Sequence, residues 1–572
     1  MTKSKRKTRL KTATPAVPRI RKIQRIHDKV ADKFLEVVEF TMNNGERRRF
    51  EWPPSVVHDP RLFEKELRDK GALLPPKEKV RHYLEAVAAQ KCPRELIYAE
   101  RTGWTEDGKV FVFVDGASGP NTKDIRGINL ADLPSDETGR VSRKGSVESW
   151  KSNVAANAAF SSLFIFGGCV AFAAPLLKPA QETSFAICLS ADTRTGKTKA
   201  TVIGSSIIGV GTPENLIKWL ITDARLDERL PEHNDSIFPI DDFQALEDQD
   251  GRYERIQSLS YRVAGGAGKA RSKAYTTRHG MGNVRWRCIA LTSSEKSIKE
   301  LAKLAGHTRR GGDAVRLIDV PALLDGEGHI FDRLPSDLNG KSLPKWKADK
   351  FAELESACSA SHGVVFPEYI KYLIAQGERL ASRVKRLRDK FTEYVADAYD
   401  DDQTRDIARK FALLYAGGIL ARGAKLVDWD EETILTSVAK FYVAARELLP
   451  NDGILLRDGI DLLKEKIATF QQVQIGDERP RKSCDYWEGL QKRVLGNYTC
   501  LITREAFDKT FISRAQRVLV ERWLIENGMV TLAQKQSGST PTPRAQHLWP
   551  DKQRRRSIEI KWKGDFEPRK RD

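Results

Sequence analysis

Residues 190–198 read Ser-Ala-Asp-Thr-Arg-Thr-Gly-Lys-Thr, a run whose residue types and order suit a nucleotide phosphate cradle. Ala191, Asp192, Thr193, Arg194, Thr195 and Gly196 would turn backbone N–H groups around a β-phosphate. Lys197 would reach the β- and γ-oxygens, and Thr198 would offer its hydroxyl to Mg²⁺. A helix starting near Lys197 points its positive end at the same anion. Ala191 stands where the motif usually has its first glycine, and alanine tolerates fewer backbone angles.

A second half-site follows at Ser236-Ile237-Phe238-Pro239-Ile240-Asp241-Asp242, a short apolar strand ending in two carboxylates. Asp241 is expected to hold Mg²⁺ through its water shell and Asp242 to polarise the attacking water. Asp242 is one methylene shorter than the Glu found there in most hydrolysing ATPases, and Glu247 is the alternative for its role. A third strand, Arg287–Leu291, is followed by Thr292-Ser293-Ser294. Thr292 or Ser293 would hydrogen-bond the γ-phosphate or the water. The competing reading is a helix N-cap by Ser293 or Ser294.

These residues need strands to carry them. Phe185–Leu189, Ser236–Ile240, Arg287–Leu291 and Val315–Val320 are apolar runs separated by helical signals. That alternation predicts a doubly wound α/β core with a parallel sheet and its ligand at the strand carboxyl ends. Val154–Leu177 is almost continuously apolar, but Asn153, Asn157, Gly167 and Gly168 dilute it and Pro175 ends it. A helix or helix pair buried beneath the sheet is expected there, not a membrane span.

Together the residues resemble a known family. Ala173-Ala174-Pro175-Leu176-Leu177, Thr195–Thr198, Gly265-Gly266-Ala267-Gly268-Lys269-Ala270-Arg271, Leu291–Glu295 and Arg316–Ala322 resemble the family catalogued as domain of unknown function 927. The resemblance extends upstream to Arg101-Thr102-Gly103-Trp104 and downstream to Ala408–Leu414. Members look like AAA+ helicases of the minichromosome-maintenance type carried on mobile genetic elements. The resemblance implies an arginine finger at Arg316, reaching a neighbouring subunit's γ-phosphate, with Arg309 and Arg310 as rivals. It implies a sensor 2 arginine at Arg405, starting a lid helix, and a channel hairpin in which Lys269, Arg271, Lys273 and Arg278 would meet DNA phosphates. A flexible surface loop is the competing reading for that basic segment.

Composition is consistent with a polyanionic partner: 572 residues carry 97 Lys plus Arg against 78 Asp plus Glu, a net charge of +19. The expected organisation is a basic disordered arm over 1–30, an N-terminal α+β domain over 31–145 and the P-loop AAA+ core over 146–345. A helical lid over 346–450 and a winged-helix-like domain with a basic tail over 451–572 complete it. Within the last, Thr503–Phe507, Arg514–Asn527 and Gly528–Val530 read as helix, helix and wing. Seven cysteines without a Cys-x-x-Cys pair suggest a reducing cytoplasm and no zinc site. The expected activity is that of an ATP- and Mg²⁺-dependent DNA helicase or translocase. It would act as a hexameric homo-oligomer on DNA, beside accessory replication proteins. The alternatives are an ATPase switch that loads other proteins on nucleic acid and an inactivated DNA-binding scaffold.

Overall fold

The computed structural model of the chain describes residues 18–28, 33–99, 101–128, 140–241, 252–268, 285–307, 309–324, 326–397, 400–449, 452–472, 488–494, 497–530, 545–549 and 554–563. Asp242, Glu247, Lys269, Arg271, Lys273 and Arg278 lie outside the described residues.

The N-terminal unit is a five-stranded mixed sheet in the order Arg47–Trp52, Lys33–Thr41, Ile20–Asp28, Glu95–Ala99, Ile125–Ile128. Helices Pro60–Asp69 and Lys77–Ala88 lay Phe63, Leu67, Val80, Leu84 and Val87 against its Ile20, Val38, Phe40 and Trp52. The expected basic arm therefore needs correcting. Ile20–Asp28 is a strand, because Ile20 and Ile26 are buried and Lys22 is neutralised inside by Glu36 at 3.3 Å.

The central sheet holds five parallel strands: β1 (Phe185–Ser190), β2 (Ile217–Lys218), β3 (Ser236–Asp241), β4 (Cys288–Ser294) and β5 (Leu317–Pro321). Their spatial order is β2-β3-β4-β1-β5. Alternation along β1 sends Phe185, Ile187 and Leu189 into one apolar cluster and Ala186 and Cys188 into the other. Burial on both faces is why these strands read as unbroken apolar runs.

Helix α1 (Ser162–Ala173) is buried along its whole length, as expected for Val154–Leu177. It lies against α2 (Lys197–Ile208), and a Cβ on Gly167 would meet the Ala200 carbonyl oxygen at 2.5 Å. Helices α3 (Asp402–Gly423) and α4 (Glu431–Leu448) pack on α1, and one continuous core runs from the sheet through all three. Among the described residues no helix is long and apolar enough to cross a membrane.

Beyond α4, helices Asp452–Ala468, Arg504–Thr510 and Arg514–Glu526 pack on a third five-stranded sheet. The two helices expected near 503–507 and 514–527 are there. Val530, in the expected wing, makes an isolated bridge to Ile560 instead of belonging to a strand. Arg554–Arg556, expected in a basic tail, open the strand Arg554–Lys563, whose Ile558 and Ile560 are buried.

Candidate nucleotide site

The candidate phosphate loop leaves β1 at Ser190, and the Ala191 N–H donates to the Ser294 carbonyl at 3.2 Å, tying the loop to the end of β4. The left-handed backbone angles fall on Arg194 (φ +63°) and Gly196 (φ +104°), not on Ala191. Alanine in place of the motif's first glycine is thus free of that strain. Gly196 is required on two counts, since a Cβ there would also lie 2.6 Å from Ile330 Cδ1.

Lys197 opens α2 and is buried, and its Nζ donates to the carbonyls of Ala191 at 3.0 Å and Asp192 at 3.2 Å. Burial pushes its ammonium below the ordinary lysine range, while Glu295 and Asp241 pull it back. Thr195 Oγ1 donates to the Asp192 carbonyl at 2.5 Å, and Thr193 Oγ1 donates to Glu295.

Three side chains from three elements converge beside the loop. Ser293 Oγ donates to Asp241 Oδ1 at 2.6 Å and lies 3.5 Å from Thr198 Oγ1. The order β3-β4-β1 brings them together, with Asp241 at the end of β3, Ser293 near the end of β4 and Thr198 in the first turn of α2, which the loop after β1 leads into. The set offers hard oxygen donors, a carboxylate and a hydroxyl, which fits Mg²⁺ whose remaining positions belong to phosphates and water. Among the described residues no group of three or more His, Cys, Asp or Glu forms a metal cage.

Successive residues on a strand face opposite ways, and this separates Thr292 from Ser293. Thr292 Oγ1 accepts from Trp219 Nε1 at 2.7 Å within the core on the other face of the sheet. Thr292 is therefore corrected from a phosphate-sensing candidate to a core contact. The N-cap reading is corrected too: Ser293 and Ser294 belong to β4, and Ser297 caps the helix Ile298–Leu304 through a box with Glu300.

The arginines fall elsewhere. Arg316 precedes β5 and is exposed, with its Nη1 donating to the Gly312 carbonyl at 2.7 Å and its guanidinium 4.8 Å from the Tyr261 ring centroid. Arg310 is exposed as well. Arg309 is only 5% exposed and held inside its own chain, which removes it as a finger. Arg405, in the first turn of α3, lies with its side chain 55% exposed beside Asp402 at 3.1 Å. The same helix reaches the start of the sheet, where Gln403 abuts Gly311 and Lys410 Nζ donates to the Val315 carbonyl at 2.7 Å. Arg310, Arg316 and Arg405 thus occupy the strand-start edge, while Lys197, Thr198 and Asp241 occupy the strand-end edge. Glu295 and Trp219 were not assigned from sequence. Strand alternation could have flagged the core face of Thr292, but no local signal reveals Trp219 as its donor.

No curated protein matches the sequence. A solved structure described as "SCCmec type IV Cch - active helicase" is similar in fold, with a TM-score of 0.50 at 16% identity over 95% of this chain and 93% of that one. Residues 2–280 match the model of the family described as Domain of unknown function (DUF927). The match takes in the candidate phosphate loop and Asp241, whereas Ser293, Arg316 and Arg405 lie beyond it. Over residues 2–280 the chain is thus similar to the DUF927 family.

Proposed function

We propose that this protein is an ATP-driven DNA helicase or translocase that works as a ring-shaped homo-oligomer, in the replication of a mobile genetic element. The convergence of Thr198, Ser293 and Asp241 beside the buried Lys197 carries the reading. The loop N–H groups and Lys197 bind the β- and γ-phosphates, which replace the Ala191 and Asp192 carbonyls as partners of the ammonium. Thr198 and Asp241 hold Mg²⁺, which neutralises charge on the phosphates when bound. Ser293 donates to Asp241 and so orients it, and the free lone pairs of its hydroxyl accept a hydrogen bond from the attacking water. Asp242, next in sequence to Asp241, accepts that water's proton.

Arg316 and Arg405, on the opposite edge of the sheet, serve a neighbouring subunit's nucleotide, so each complete site needs two chains. The basic segment around Lys269, Arg271, Lys273 and Arg278 contacts DNA phosphates. The fold shared with an active helicase and the net charge of +19 support nucleic acid as the track. ATP turnover measured with and without DNA, together with strand displacement, tests the proposal. Lys197→Ala should abolish turnover while leaving the melting temperature near that of the wild type, because it removes charge at the phosphates and little packing. Unchanged turnover in that variant would end the nucleotide reading.

A further inference from the structure

Arg309 lies in the arginine-rich turn beside the exposed Arg310, yet the fold draws it inward. Its Nη2 donates to the Leu317 carbonyl, and its Nη1 stands 3.9 Å from Asp319 Oδ2. Asp319 is on β5 and only 2% exposed. Its Oδ1 accepts from Ser190 Oγ at 3.1 Å, and its Oδ2 accepts from the Lys299 N–H at 3.3 Å. Ser190 is the last residue of β1, immediately before the phosphate loop. A continuous chain of contacts therefore runs from the turn that carries Arg310, through Arg309 and Asp319, to the root of the loop that carries Lys197.

We infer that Arg309 and Asp319 are positioning residues, forming a buried relay that couples the outward-facing arginine segment 310–316 to the phosphate loop of the same chain. The inference rests on the nucleotide reading above. Two charges withdrawn from water contribute little net stability over apolar residues of similar volume, so cohesion alone does not account for the pair. The Asp313 and Ala314 N–H groups both donate to the Arg310 carbonyl, at 3.0 and 3.1 Å, making Arg310–Ala314 a compact hydrogen-bonded turn. Arg309 Nε and Asp313 Oδ1 are buried without hydrogen-bond partners and border one small cavity with Tyr253, Gln257 and Tyr261. In this relay a shift of the turn on binding at its exposed face is carried by the Arg309 guanidinium to Asp319 and Ser190.

The test compares the full-length wild type with Ser190→Ala, Asp319→Asn, Arg309→Lys and Arg309→Met. Binding of a fluorescent ATP analogue with Mg²⁺, steady-state kcat and KM for ATP, and melting temperature are read for each. The relay predicts that Ser190→Ala and Asp319→Asn keep analogue binding and KM within about 2-fold while kcat falls about 3- to 30-fold, the span expected for breaking an energetic coupling. Arg309→Lys, which keeps the charge, should retain more of kcat than Arg309→Met. Ser190→Ala deletes one hydroxyl and keeps the test alive if Asp319→Asn does not fold. Folded variants with wild-type kcat, losses that simply track melting temperature, or equal kcat in Arg309→Lys and Arg309→Met would each overturn the relay. A wild type that neither binds nor hydrolyses ATP would instead overturn the nucleotide reading itself.

Discussion

Ser293 and Thr292 are adjacent hydroxyl residues with opposite fates, and the difference is measurable. Ser293 bonds Asp241 at 2.6 Å in the site, whereas Thr292 accepts the Trp219 indole N–H at 2.7 Å inside the core. Ser293→Ala should lower ATP turnover about 10-fold or more, in the range of losing a group that orients the reacting centre, with little change in melting temperature. Thr292→Val should do the reverse. It leaves a buried indole N–H unpaired, a cost of about 1–3 kcal/mol, while the phosphate site stays intact. Turnover assays beside thermal melts check both, and a turnover defect confined to Thr292→Val would reverse the assignment of the two residues. The same reasoning explains Ala191, whose backbone never needs the glycine-only angles that Arg194 and Gly196 adopt.

Elements explain which parts of the molecule could be read from the chain. The strands that carry the site were legible because parallel strands buried on both faces are apolar throughout. Strand β2 was not, since Ile217–Lys218 is two residues long and its place at the sheet edge is set by pairing with β3. Ile20–Asp28 was hidden by its own charge: Lys22 is buried against Glu36, and a register shift between Lys22 and Gln24 breaks the period of two. Arg554–Lys563 was hidden in the same way, its buried Ile558 and Ile560 flanked by basic residues. The role of Arg309 could not be read from local sequence, because its partner Asp319 lies on β5 and is chosen by the fold. Helix α1 was legible as buried, but its close contact with α2 depends on glycines facing each other. A Cβ on Gly204 would sit 2.7 Å from the Gly167 carbonyl oxygen. Gly204→Val should therefore destabilise the protein by about 1–3 kcal/mol through overpacking, read as a lower denaturation midpoint. Wild-type stability in that variant would mean that the two helices can part freely.

For the whole molecule the question is whether one chain or two complete a site. Salt dependence addresses the track first. Phosphate contacts make affinity fall with salt, so Lys269→Ala/Arg271→Ala should bind DNA with a shallower salt slope and lose unwinding before basal turnover. An unaltered slope would assign those residues to a surface loop. Oligomeric function is tested by mixing. Arg316 precedes β5 and Lys197 follows β1, and the strands between them set the two about 16 Å apart along the sheet, so a chain cannot place its own Arg316 on its own phosphate loop. Among the described residues Arg316 is held by the Gly312 carbonyl and the face of Tyr261, surface contacts that a neighbour's phosphate can replace. Arg316→Ala subunits alone should be inactive, since no site receives the cation that stabilises the transferring phosphoryl group, an effect of about 10³-fold or more. Lys197→Ala subunits alone should be inactive for the opposite reason. Mixed together, some interfaces pair an intact loop from one variant with an intact finger from the other, and ATP turnover should partly return. A chain that hydrolyses ATP by itself shows no such recovery. If mixed oligomers are seen to form and turnover stays absent, the finger role passes to Arg310, the other exposed arginine of the same turn, and the mixing is repeated with Arg310→Ala.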